Sequence, residues 1–108
     1  MDDQKFRKLA EQALEQLQRA LEKAGDTYEF EVDNNAGALT VEFEDPPTRF
    51  VVSPNAPVSQ IWVSARVKSF KLDWDEARGA FVLAGDRRDL KQLMSDVIGE
   101  QLGEKIDL

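Results

Sequence analysis

The sequence contains no cysteine and no histidine. Disulfides, zinc sites, cysteine nucleophiles, histidine general bases and direct ligation of an iron–sulfur cluster are thereby excluded. Long apolar runs are also missing, so no helix can span a bilayer. The leading residues Met1-Asp2-Asp3-Gln4 are acidic, unlike a signal or Arg-rich transit peptide, and the expected location is cytoplasmic. No phosphate-binding glycine loop or dinucleotide fingerprint occurs. Positive charge is scarce where it would matter for nucleic acid. Residues 1–45 carry twelve acids against five bases, while residues 46–108 balance at nine of each, so the net charge of −7 sits in the first two-fifths of the chain. A field of that sign opposes phosphate contacts and favours cations or basic proteins.

What remains is a chain of 108 residues, 42% hydrophobic and 32% charged, in the range of one globular domain with one modest core. Phe6, Leu9, Ala10, Ala13, Leu14, Leu17, Ala20, Leu21 and Ala24 recur at three- and four-residue steps and predict an amphipathic helix over 3–24. Asp2 or Asp3 is placed to cap it, and Gly25 is placed to end it in a left-handed conformation. The period then drops to two. Tyr28, Phe30 and Val32 alternate with Glu29, Glu31 and Asp33, and Leu39, Val41 and Phe43 alternate with Thr40, Glu42 and Glu44. With a turn at Asn34-Asn35-Ala36-Gly37, this is a hairpin with one apolar and one acidic face. Asp45-Pro46-Pro47 is expected to stop its second strand.

Further strands are expected over 50–53, 60–64, 68–74 and 80–83, the first two joined by a polar turn holding Pro54, Asn55 and Pro57. Asp86 is the expected N-cap of a second helix with Leu90, Leu93, Met94, Val97, Ile98 and Leu102 on its buried side. Gly103 ends it, interior Gly99 costs it about 1 kcal/mol against alanine, and residues 104–108 read as a loose tail. This order of elements predicts a two-layer α+β sandwich: an antiparallel sheet of about six strands, both helices on one face, the other face open to water.

Two constellations stand out. At about 100° per residue, Glu11, Glu15, Gln18 and Glu22 share one side of the first helix. Asp26, Glu29, Glu31 and Asp33 follow on the next loop and strand. The ordinary reading is a solvated helix and strand face with Glu15–Arg19 as an i,i+4 pair. The functional one is an acidic ridge that holds hard cations or docks a basic partner. In the other constellation, alternation that buries Ile61 and Val63 puts Gln60, Trp62 and Ser64 on the open face. A tryptophan there is either half-covered by long neighbours or an interface anchor. Arg66, Lys68 and Lys71 read as a basic strand edge, and Phe70, Trp74 and Phe81 as core. Without histidine or cysteine, no carboxylate or Ser–Lys spacing specifies catalysis, and the chain reads as a non-enzyme.

Pro57 followed by Gln60-Ile61-Trp62-Val63-Ser64 resembles the strand signature of the frataxin family. The opening run Met1 to Gln12 is similar to the start of bacterial frataxins, and the element order matches over essentially the whole chain. The resemblance implies an acidic ridge on the first helix and following edge strand, associated with weak, carboxylate-bound iron and with docking a cysteine desulfurase. Glu11, Glu15, Glu22, Asp26, Glu29, Glu31 and Asp33 are the residues it nominates for metal. Glu22, Glu29, Glu31, Asn55, Gln60 and Trp62 are those it nominates for a desulfurase and its Fe–S scaffold protein. Gln18, Arg19, Lys23 and Ala24 depart from the family's crowded acids at the helix end, and Ser53 and Asn55 replace its usual Asn and Gln before the tryptophan strand. A monomer that modulates Fe–S cluster assembly is the implied function. An acidic α+β chaperone or adaptor for a basic partner, and an iron-storing protein, are the alternatives.

Overall fold

The computed structural model describes residues 1–44 and 46–108. The expected stop at Asp45 lies outside the described residues. A first helix, α1 (Asp3–Gly25), precedes six strands among the described residues: β1 (Glu31–Asn35), β2 (Ala38–Glu44), β3 (Pro47–Asn55), β4 (Gln60–Ala65), β5 (Lys68–Asp75) and β6 (Ala80–Leu83). A second helix, α2 (Leu90–Leu102), follows. The strands form one antiparallel meander in sequence order. Hairpin-length connections permit no other simple topology.

One face of the sheet supplies Leu39, Val41, Phe43, Phe50, Val52, Ile61, Val63 and Leu72 to the core. The helices supply Phe6, Leu14, Leu17, Leu21, Leu93, Met94 and Ile98. Both helices therefore cover the same face, and the alternate residues of the sheet are left facing water. Phe6 meets Phe81 edge-on with ring centroids 5.9 Å apart, which anchors the start of α1 to β6.

Local chemistry decided several boundaries differently from periodicity. Asp2 caps α1 by accepting from the Lys5 amide at 2.7 Å. Gly25 is helical, and Asp26, in a right-handed conformation, closes the helix instead. The amides of Thr27 and Tyr28 turn back to the Ala24 carbonyl, so β1 begins only at Glu31. The N-cap of α2 is Asp89 rather than Asp86. Asp89 and Gln92 form a reciprocal capping box, while Asp86 accepts from the Arg88 amide and guanidinium. The sheet strand around Phe50 extends to Asn55, and the turn after it is a single 3₁₀ turn, Ala56–Val58. Pro54 is accommodated because the β2 register ends at Val52, leaving β3 a neighbour on one side only.

The tail is not loose. Gly103, left-handed at φ 73°, ends α2, and the chain then folds back so that Ile106 is 5% exposed within the core. The Leu108 amide donates to Ser95 Oγ at 3.2 Å. This return explains Gly99: a Cβ there would lie 2.8 Å from the Glu104 carbonyl oxygen. Helix propensity alone makes Gly99→Ala stabilising by about 1 kcal/mol. The close backbone approach reverses the sign, and a loss of roughly 1–3 kcal/mol is expected in urea unfolding. A Gly99→Ala protein more stable than wild type would mean that the tail does not lie against α2.

Candidate functional site

The buried stripe of α1 leaves Glu11, Glu15 and Glu22 exposed. Asp26 at the helix end, Glu29 in the connection, and Glu31 and Asp33 on β1 are exposed as well. Gln18 Oε1 accepts from Asn34 Nδ2 at 3.0 Å and ties the helix to the edge strand. The acids do not form one cluster. Glu11 and Glu15 border a groove of about 320 Å³ against Asn34, Gly37, Pro54 and Ala56. Glu29 and Glu31 border another of about 510 Å³ at the opposite end of the sheet. Arg19 bonds Glu15 at 2.5 Å. Among the described residues no three or more Asp, Glu, His or Cys side chains come close enough to hold one metal ion.

Two carboxylates join this surface that sequence reasoning did not nominate for it. Glu42 and Glu44 line the groove of Glu29 and Glu31, and Glu42 stands directly opposite Glu31 in the β1–β2 register. Like charges directly opposed across a strand pair are destabilising. Arg49, opposite Glu42 on its other side, offsets part of that cost. A signal for Glu42 was available, because the Ala36-Gly37 turn fixes the hairpin register.

On the open face the structure brings Asn55, Gln60 and Trp62 together. β3 and β4 pair Asn55 with Gln60 and Ser53 with Trp62, so Ser53 is a strand residue as expected and Asn55 is one too, rather than a turn residue. Trp62 is 37% exposed among otherwise polar neighbours. Its indole Nε1 donates to Gln60 Oε1 at 2.9 Å, and Gln60 Nε2 donates to Asp73 Oδ1 at 3.0 Å. Lys71, directly across from Trp62 on β5, holds its ammonium 4.9 Å from the ring centroid. The ring is thus fixed from two sides with its apolar surface still accessible, a preorganised anchor. Lys71 joins this patch and also stands on the expected basic strand edge, because β6 pairs only Leu72–Asp75 of β5 and leaves Lys68–Lys71 with β4 alone. Thr40 stands one row away, opposite Val51, and Glu42 two rows away.

Three arginines near β6 and α2 are held by carboxylates. Arg87 pairs with Asp75, Arg78 with Asp89 at 3.7 Å, and Arg88 with Asp86 and Asp96, each at 2.9 Å. Hydrogen bonds to Asp86 first and Asp96 second raise the Arg88 guanidinium above its ordinary value, and the Arg88 bond lowers the Asp86 carboxyl. On the far side, Lys5 bonds Glu76 at 3.0 Å, and that bond lowers the Glu76 carboxyl. Helix α1 with its Asp2 cap carries five acids and five bases, so the uncompensated negative charge lies beyond it, on Asp26, Glu29, Glu31, Asp33, Glu42 and Glu44.

Fold and surface together define a two-layer α+β protein with exposed carboxylates on one side of its first helix, an acidic edge hairpin and a tryptophan held on an open sheet face. The chain belongs to the frataxin-like domain family, whose model matches residues 1–104. It is 35% identical over 108 residues to the iron-sulfur cluster assembly protein CyaY of Dechloromonas aromatica, covering 100% of this chain and 99% of that one. It is 36% identical over 93 residues to the protein of the same name from Pseudomonas aeruginosa, covering 84% and 85% of the two chains. Among solved structures, the frataxin of Psychromonas ingrahamii superposes with a TM-score of 0.84 over 99% of this chain and 97% of that one, at 24% identity. That last likeness speaks for the fold.

Proposed function

We propose that this protein is a non-enzymatic modulator of Fe–S cluster assembly. It docks the acidic side of α1 and β1 on a basic groove of a cysteine desulfurase and turns the Trp62 patch toward the scaffold protein. The observation that carries this reading is the charge distribution. Seven exposed carboxylates run along one helix, the following connection and the edge strand, with a single arginine bonded among them. The relatives' name supplies the assembly pathway, and the absence of histidine and cysteine agrees with a role outside catalysis. Iron is a loosely held cargo in this reading, because separate exposed carboxylates offer few charged ligands and little rigidity.

The test is a titration of the desulfurase at low and high salt, beside a Glu22→Lys/Glu29→Lys/Glu31→Lys variant. Wild type is expected to bind, to weaken as salt rises, and to lose affinity by about a hundredfold or more on charge reversal. Salt-insensitive binding, or a variant that binds like wild type, would reject the acidic side as the docking surface. A protein that ignores the desulfurase with or without its scaffold, yet captures other basic proteins, would act as an adaptor.

A further inference from the structure

The two edges of the sheet are treated differently. At β6 the chain folds back to guard the edge: Val82 bridges to Asp89, the Leu83 amide donates to the Arg88 carbonyl, and the Arg87 amide donates to the Leu83 carbonyl. At β1 no such cover exists among the described residues. Its register states which groups are left over. The two-residue loop Ala36-Gly37 makes Asn35 and Ala38 the pair that exchanges both backbone bonds, and the alternation of an antiparallel ladder makes Asp33–Thr40 and Glu31–Glu42 the next such pairs. The amides and carbonyls of Val32 and Asn34 therefore point away from β2, and no described residue bonds to them.

An unpaired edge invites another strand, and charge selects which one. Glu29, Glu31 and Asp33, all exposed, oppose pairing with a second copy of this chain and favour an extended segment rich in lysine or arginine. We infer that β1 accepts a basic extended segment of the partner protein as a seventh strand, bonded through Val32 and Asn34. The inference rests on the docking reading above and gives it a mode: strand addition with charge selection, in place of charge contact alone.

Two measurements decide it. Hydrogen exchange is followed in wild type with a short, end-capped peptide alternating lysine and valine, and with an analogue of equal charge carrying proline for valine. The first peptide is expected to slow exchange at the Val32 and Asn34 amides by about tenfold, leaving Glu31 and Asp33 unchanged, and the analogue to do nothing. Evenly spread protection, no protection, or equal protection by the analogue would overturn the inference. In the second, Val32→Pro keeps every charge while removing one edge donor, and is expected to weaken desulfurase binding by about tenfold with the circular dichroism of wild type. Wild-type affinity in Val32→Pro, alongside loss in the charge-reversal variant, would sink strand addition and leave acidic docking standing. If wild type ignores the desulfurase, the docking reading fails and the exchange pattern still decides whether the edge takes a strand.

Discussion

Ile106→Ala is expected to cost roughly 2–4 kcal/mol of stability, the range for truncating a buried aliphatic side chain where the surroundings collapse only in part. Ile106 sits two residues from the end of the chain, where truncation ordinarily costs nothing. Here it is 5% exposed and shares the core with the helices and the sheet. At this chain length the midpoint of thermal unfolding should fall by about 10–20 °C. Val67→Ala is the control, since Val67 is 98% exposed, and it should stay within about 0.5 kcal/mol of wild type. The reading fails if the two variants unfold alike. Together with Gly99→Ala, the experiment separates two roles of the tail. Ile106 contributes buried area, and Gly99 contributes the gap through which the Glu104 carbonyl approaches α2.

That tail marks where sequence reasoning ran out. Each helix and strand announced itself through its own period, and the sheet order followed from short connections, so the two layers were legible from residues 6 to 102. Residues 104–108 have no period, and one isoleucine among charged neighbours carries no signal until a neighbouring glycine is seen to be crossed by backbone. Pro54 misled for a related reason: a proline reads as a break, but β3 had already lost one partner there. Asp86 looked like a cap because it precedes an apolar stripe, whereas Asp89 with Gln92 held the better signature three residues on. In the site, the acids of α1 and β1 were visible by spacing. Glu42 was within reach through the Ala36-Gly37 turn, which fixes its hairpin register, whereas Lys71 and Asp73 were not, because their place depends on register between strands that no single strand records.

Trp62→Ala is expected to separate the two halves of the proposed interface. The ring is on the open face and its loss leaves no cavity in the core, but it is only 37% exposed, so unfolding should change by about 1–3 kcal/mol. Binding to the desulfurase alone should also be nearly unchanged, because that contact is assigned to α1 and β1. Affinity for the desulfurase–scaffold complex, in contrast, should fall about thirtyfold or more, as for a tryptophan anchor worth at least ~2 kcal/mol. The supports of the ring predict graded effects. Lys71→Gln removes the cation 4.9 Å from the ring centroid and should cost about 0.5–1 kcal/mol of that affinity. Asp73→Asn exchanges the charged acceptor of Gln60 for a neutral one, loosening the indole at one remove, and should cost less than Lys71→Gln. Trp62→Phe keeps an aromatic face but has no Nε1 to donate, and should fall between wild type and alanine. The ordering is the sensitive part. If Trp62→Ala binds the complex within twofold of wild type, the patch is a solvated tryptophan held by its neighbours, and the scaffold side of the interface lies elsewhere. If it weakens binding to the desulfurase alone by as much as to the complex, one continuous surface serves one partner, and the division between acidic side and open face disappears.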